Sequence, residues 1–233
     1  MESKRRGNPI DLLRRAFQKA VVGRLRYGRG DDYDAAAYWE DRFKRYGYSL
    51  KGAGHEGLSE EANTGMYEEA AEVFTDLCRK ESVDFEAVRV LDIGCGNGFY
   101  TKLLHELGVK RYLGLDITDT LFPSLRESYP QFEFVREDIT SDKLSGEFDL
   151  ILMIDVVEHI VKESRLAQAM ENVRDCLSSG GLFVVSGIRR VSRRRLFYVR
   201  SWSAEDIKKE FSGYSVSEPL AFRDALILSI RKP

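Results

Sequence analysis

Only five prolines and three cysteines occur in the 233 residues, and nowhere do the roughly 18 consecutive apolar residues of a membrane-spanning helix follow one another. The scarcity of proline, with charges scattered throughout, leaves no long disordered tract. Cys78, Cys95 and Cys176 are odd in number and have neither disulfide-framework nor zinc-ligand spacing. Neither a disulfide scaffold nor a structural zinc is expected, which suits a reducing compartment. The start, Met1 to Arg6, is basic but lacks the apolar core and small-residue cleavage site of a secretory signal. A cytoplasmic location is therefore expected. With 43% hydrophobic and 32% charged residues, the chain can bury one substantial core and fits a single domain with extensions.

A formal charge of −2 conceals an uneven distribution. Residues 1–30 hold nine Lys/Arg against Glu2 and Asp11, so the rest of the chain is acidic. Within this segment Ile10, Leu13, Phe17, Ala20, Val21 and Leu25 recur at helical spacing, which predicts a basic amphipathic helix. Two readings stand open: peripheral docking on an anionic membrane surface, or a plain surface helix packed on the domain.

Past Gly30 the pattern changes. Tyr33 to Tyr46 reads as a helix carrying Tyr38, Trp39, Arg42 and Phe43; a glycine-rich loop spans Gly47 to Gly57; Ser59 starts another helix. Residues 31–87 thus read as a helical cap or lid. From residue 88 to 233, β-branched runs alternate with helical stretches, the pattern of a doubly wound, mostly parallel sheet. Strands are predicted at Val88–Ile93, Tyr112–Asp116, Phe132–Arg136, Phe148–Ile154 and Leu182–Ser186. Two closing strands, Tyr214–Leu220 and Ala225–Arg231, complete a seven-stranded α/β sheet, the last pair antiparallel at its edge.

The stretch Val90-Leu91-Asp92-Ile93-Gly94-Cys95-Gly96-Asn97-Gly98 runs a strand into a glycine-rich turn and then a helix, where the backbone can approach a ligand closely. A dinucleotide fingerprint would need glycine at position 99, which is Phe99. Asp92, just before the loop, would also repel a pyrophosphate but tolerate a cationic ligand. Asp116, at the end of the second strand, is placed to accept the hydroxyls of an adenosine ribose.

Leu91 to Gly98 resembles the S-adenosylmethionine-binding motif of class I, Rossmann-like methyltransferases, with Asp116 as their strand-two acid. Arg136-Glu137-Asp138-Ile139 is similar to the adenine-contacting position after strand three. Asp155-Val156-Val157-Glu158-His159 resembles the Asp-x-x-Glu-His segment of ubiquinone-biosynthesis-type small-molecule methyltransferases, and Ser179-Gly180-Gly181-Leu182-Phe183 matches the turn into strand five. The resemblance implies S-adenosyl-L-methionine as cofactor. It places Asp92, Gly94 and Gly96 around the methionine moiety with Cys95 and Asn97 beside them. Asp116 would meet the ribose, Ile117 and Ile139 the adenine face and edge, Asp138 the adenine edge, and the Ile154 carbonyl the ammonium group.

Methyl transfer from sulfonium needs alignment, exclusion of water and, for a hydroxyl acceptor, a base. His159, after the fourth strand, is the candidate base; a helix-start residue bonded to backbone is the alternative. Asp155 and Glu158 beside it lack a convincing third oxygen ligand, so no metal is assigned. His55 in the cap loop is read as reaching the acceptor or simply solvated, and the pair Tyr38 and Trp39 as a lid over the cofactor or as helix core. Arg189 to Arg195 is read as a loop after strand five, suited to an anionic or lipid-like acceptor or merely solvated. Nucleic acid is not expected, since the body is acidic and Ile154-Asp155-Val156-Val157 stands where an amino-methylating Asn-Pro-Pro-Tyr-type motif would. The expected activity is methyl transfer to an oxygen or nitrogen of a small-molecule or lipid-like acceptor. An NAD-type oxidoreductase and a non-catalytic binding subunit are the rivals.

Overall fold

The computed structural model describes residues 21–29 and 32–233. Most of the predicted basic helix, including Ile10, Leu13, Phe17 and Ala20, lies outside the described residues. Val21 and Leu25, from the same apolar stripe, are exposed, Leu25 to 83%.

Among the described residues four α-helices precede the sheet: α1 (Gly23–Tyr27), α2 (Ala35–Tyr46), α3 (Leu50–Ala53) and α4 (Glu60–Lys80). Asp34 caps α2 by accepting from the Ala37 N–H, and Ser59 caps α4 by accepting from Ala62. The glycine-rich stretch after α2 is not all loop, because Ser49 caps the short α3 within it.

Strands and helices alternate in the core except between β3 and β4: β1 (Arg89–Ile93), α5 (Phe99–Glu106), β2 (Arg111–Asp116), α6 (Phe122–Ser128), β3 (Glu133–Arg136), β4 (Phe148–Met153), α7 (Glu163–Cys176) and β5 (Leu177–Arg189). β6 (Arg193–Leu196), β7 (Val199–Ser203), α8 (Ala204–Lys208), β8 (Ser215–Val216), β9 (Leu220–Phe222) and β10 (Ala225–Arg231) follow. The sheet is open, in the order β3-β2-β1-β4-β5-β10-β8. β1 to β5 run parallel to their neighbours, whereas β10 lies antiparallel between β5 and β8. The antiparallel closure thus comes from β10, and the predicted strand over Tyr214–Leu220 divides into β8 and β9.

Alternation along the strands sends side chains to two separate cores. Leu91, Ile93, Ile151, Met153, Phe183 and Val185 pack with Leu166, Met170 and Val173 of α7 on one face. Val90, Leu150, Leu152, Leu182 and Val184 pack with Phe74 and Leu77 of α4 and Leu104 of α5 on the other.

Two departures from the sequence reading matter for the site. β5 is longer than Leu182–Ser186, because β10 pairs along it from Leu182 to Ile188 and β7 pairs at its far end. The arginine-rich stretch is not a simple loop. Arg189 ends β5, and Arg193 to Arg195 belong to β6, which forms an antiparallel hairpin with β7. At the hairpin tip Phe197 and Tyr198 are buried against Tyr27, Tyr33 and Tyr38 of the N-terminal region. Trp202, 1% exposed, anchors the base of the hairpin by donating its indole N–H to the Ile160 carbonyl at 2.9 Å.

Leu152, in the central strand β4, is wholly buried. Leu152→Ala is expected to cost about 2–5 kcal/mol, read from the urea unfolding midpoint; a loss well under 1 kcal/mol would contradict this packing.

Candidate functional site

The strand β1 ends in a bend whose shape is set by the neighbouring strand β2. The Gly94 and Cys95 N–H groups both donate to the Leu115 carbonyl, at 2.7 and 3.1 Å, and the Gly96 N–H donates to Asp116 Oδ2 at 2.9 Å. Gly94 has φ 78°, and a Cβ there would lie 2.3 Å from Val156 Cγ2. Gly96 has φ 52°, and its open side faces the Phe43 ring, with a Cβ 3.5 Å from Cζ. Side chains are disfavoured at both positions by conformation, and at Gly94 also by space.

Above the bend lies a cleft of about 1130 Å³, partly open to solvent. Gly94, Cys95, Gly96, Asn97, Asp116, Ile117, Asp138, Ile139, Ile154 and His159 all line it. They come from the carboxyl ends of β1, β2, β3 and β4, where ligands of open α/β sheets bind. Asp92 departs from its expected place. It is 2% exposed, and on β1 it shares the face of Val90, beneath the bend, where Tyr112 donates its hydroxyl to Asp92 Oδ2 at 2.8 Å. Asp92 is therefore an electrostatic floor to the bend, and the cleft wall is made by its neighbours.

Several of these side chains already have partners. Asp116 Oδ1 accepts from the Thr118 N–H at 3.1 Å, and its Oδ2 from Gly96; each oxygen keeps a further acceptor site for a diol. Asp138 Oδ1 accepts from the Thr140 N–H and hydroxyl, while Oδ2 lies 3.9 Å from Arg165. Asn97 accepts from the Phe99 N–H at 3.4 Å and donates to the Tyr48 carbonyl at 3.2 Å. The Cys95 sulfur packs over Gly114, where a Cβ would be 3.1 Å away, and this gives the residue a packing role.

The N-terminal helices roof the cleft. Tyr33, Ala35, Trp39, Phe43 and Tyr67 line it, whereas Tyr38 turns away to stack on Tyr198 at 4.8 Å. Arg42 organises this roof. Its guanidinium donates to the Gly52, Lys51 and Gly54 carbonyls at 2.5, 3.0 and 2.8 Å and lies 5.5 Å over the Trp39 ring. His55 is outside the cleft lining and is fixed through its main chain to Asn63. Tyr33, Tyr67, Tyr100, Lys162 and Arg165 were outside the candidate set; the first three sit in ordinary apolar patterns, and only the fold brings them to the cleft.

After β4 the chain makes a short turn over Val157–His159. His159 Nδ1 lies 3.1 Å from the Tyr198 carbonyl, which can only accept, so the proton sits on Nδ1 and Nε2 keeps its lone pair. The edge of Trp39 meets the imidazole at 4.9 Å. Burial, with the positive charge of Arg42 nearby, pushes His159 down to about 4. Asp155 pairs with Arg223, and among the described residues no three His, Cys, Asp or Glu side chains gather as a metal site.

This arrangement matches known proteins. Residues 91–185 match the family model described as a methyltransferase domain. Over that stretch the chain is similar to the class I methyltransferases that use S-adenosyl-L-methionine. A ubiquinone biosynthesis O-methyltransferase of Ruegeria sp. (strain TM1040) is 32% identical over 116 residues, covering 48% of this chain and 45% of the relative. A ribosomal protein L11 methyltransferase of Staphylococcus aureus (strain JH1) is 29% identical over 121 residues, covering 49% and 37%. The chain thus spans less than half the length of these curated relatives. Among solved structures, 1,6-didemethyltoxoflavin-N1-methyltransferase of Burkholderia thailandensis superposes with TM-score 0.62 at 16% identity, covering 85% of this chain and 88% of its own. The N-methyltransferase NodS of Bradyrhizobium japonicum WM9 gives 0.58 at 24% identity, covering 72% and 97%.

The residues present fit the family's cofactor. Asp116 has acceptor capacity for two hydroxyls, Ile117 and Ile139 offer apolar surface, and the Tyr33 hydroxyl, buried in the lining, lacks a protein partner. Burial pushes Asp92 up to about 7, against the hydrogen bond from Tyr112, and Asp116 up to about 6. Both lie above an ordinary carboxyl, so the free protein loses their contribution to stability as pH rises from about 4 through 6–7. A cationic ligand favours the ionised carboxylates, so its affinity moves the opposite way. The affinity ratio of S-adenosylmethionine to its uncharged-sulfur product should rise about tenfold from pH 6 to 8 by calorimetry, and less in Asp92→Asn. A pH-independent ratio would remove these acids from the recognition of charge.

Proposed function

We propose that the protein transfers the methyl group of S-adenosyl-L-methionine to an oxygen or nitrogen of a small-molecule acceptor, oxygen being favoured by His159. The observation that carries this reading is the place of His159: it lines the cleft, and its Nδ1 lies 3.1 Å from a main-chain carbonyl, which leaves the lone pair on Nε2. The cofactor, when bound, supplies an electrophilic methyl on a positively charged sulfur. Gly94, Gly96 and the Ile154 carbonyl would hold its amino-acid end, Asp116 the ribose, and Ile117, Asp138 and Ile139 the adenine. Helices α2 and α4 act as the cap, with Trp39, Phe43 and Tyr67 excluding water from the transfer.

A base near 4 is weak toward a free hydroxyl. It becomes competent as the acceptor oxygen acidifies on bonding to carbon, and its neutrality at physiological pH means that no proton must first be removed from it. His159 Nε2 therefore takes the acceptor proton, and the Tyr198 carbonyl steadies the imidazolium through Nδ1–H. For an amine acceptor the same nitrogen receives the proton that N-alkylation releases.

A second reading concerns the setting. Val21, Val22 and Leu25 are exposed beside Arg24 and Arg26, which suits peripheral contact with an anionic membrane and a lipid-like acceptor. Among the described residues no helix is long and apolar enough to cross a membrane. Arg189 pairs with Asp224 at 2.8 Å, and neither it nor Arg190 lines the cleft.

The test is methyl transfer from radiolabelled S-adenosylmethionine to a panel of phenols, catechols and amines. His159→Ala should keep wild-type affinity for S-adenosylhomocysteine while turnover on hydroxyl acceptors falls about 10²–10⁴-fold. Full turnover in the variant would end the base assignment. Tight cofactor binding with no transfer to any acceptor would favour a non-catalytic binding protein.

A further inference from the structure

The end of the cleft over β4 and β5 holds a charged cluster that the reading above leaves idle. Asp155, the first residue after the Ile154 position, lines the cleft, and its backbone is left-handed at φ 56°. It is held there from two sides. Ser186 accepts from the Asp155 N–H at 2.9 Å and donates its hydroxyl to Oδ1 at 3.0 Å. Arg223 donates to Oδ2 from the turn between β9 and β10, 68 residues further along the chain.

Arg223 is itself left-handed at φ 54°. Neither residue is glycine, so both ends of one ion pair carry backbone strain, which persists only where surrounding structure enforces it. The Arg223 side chain is 6% exposed, its guanidinium lies 4.4 Å over the Tyr67 ring of α4, and its Nε has no partner. A buried ion pair with an unsatisfied donor is an expensive way to hold a fold together. The expense is better explained by what the pair presents to the cleft.

Two polar groups are presented. The Asp155 carboxylate spends one acceptor site per oxygen on Ser186 and Arg223 and retains the others. Tyr100, from the first turn of α5, lines the same cleft, and its hydroxyl is buried without a partner. Strand order places them. Asp116, the ribose candidate, stands on the β2 side of the bend, and Asp155 on the β4 side, so the nucleoside end and the reacting end of the cleft lie over opposite neighbours of β1.

We propose that Asp155 and Tyr100 form an acceptor-side subsite for a hydrogen-bond-donating group, an ammonium or hydroxyl, and that Arg223 is the positioning residue that fixes the Asp155 carboxylate in it. This rests on the methyltransferase reading but not on His159, whose partners lie on the β6–β7 hairpin and the roof. Arg223 also joins three parts of the molecule at this point: the β9–β10 turn, the end of β4 and the cap helix α4.

Binding probes test the subsite without knowledge of the natural acceptor. Sinefungin carries a protonated amine where S-adenosylmethionine carries the transferable methyl, whereas S-adenosylhomocysteine has nothing there. Asp155→Asn and Arg223→Met should each lower the sinefungin-to-homocysteine-product affinity ratio about tenfold, about 1.4 kcal/mol, with the double variant no worse than the worse single. Arg223→Lys should restore most of the ratio, and Tyr100→Phe should lower it about threefold. Ser186→Ala, which keeps both charges, gives a milder loss in the same direction and serves if Arg223→Met does not fold. A ratio unchanged in Asp155→Asn, or additive losses in the double variant, would overturn the proposal. Failure of the unaltered protein to bind either probe would instead overturn the methyltransferase reading.

Discussion

The cleft depends on one constraint: the bend after β1 is stitched to the end of β2 by main-chain N–H groups that find the Leu115 carbonyl and the Asp116 carboxylate. Because Asp116 receives Gly96 through one oxygen and Thr118 through the other, the same side chain that offers acceptor capacity to a ligand also sets the height of the loop beneath it. Loop shape and the acceptor capacity of Asp116 are thus tied to one side chain. Everything placed around the bend, from Val156 against Gly94 to Phe43 over Gly96, is located relative to it.

Around that bend the molecule concentrates carboxyl groups in places poor in water. Asp92 lies below, Asp116 beside it and Glu158 beyond the end of β4, where burial and the nearby Asp155 push its carboxyl up to about 8. These groups disfavour their own ionisation in the free protein. An arriving cation relieves that penalty, so electrostatic recognition is built from desolvation and needs no exposed acidic surface. The aromatic roof adds to this, since Trp39, Phe43 and Tyr67 in the lining lower the local polarity.

The order of strands, the glycine bend and the acid ending β2 were legible in the sequence because each obeys a local rule: a β-branched run, a glycine spacing, a carboxylate one strand along. The same rule misplaced Asp92. Proximity in sequence to the loop suggested the wall, yet strand alternation turns the side chain to the floor, against Tyr112. The β6–β7 hairpin was hidden by its arginines, which read as a solvated loop; the signal was the following Phe197-Tyr198-Val199 run, a stretch of strand-forming residues. Arg223 gave no signal at all. Its importance arises from an ion pair across 68 residues and from a backbone angle, neither of which leaves a local pattern.

The hydrogen bond from His159 ends on the main-chain carbonyl of Tyr198 and not on a side chain. Mutational drift at the hairpin tip can therefore replace the aromatic residues there, and reshape the neighbourhood of the cleft, without disturbing which imidazole nitrogen bears the hydrogen. An insertion or deletion in the same hairpin would slide a different carbonyl, or none, into that place. Related chains should accordingly tolerate varied residues at the tip far more readily than a changed hairpin length.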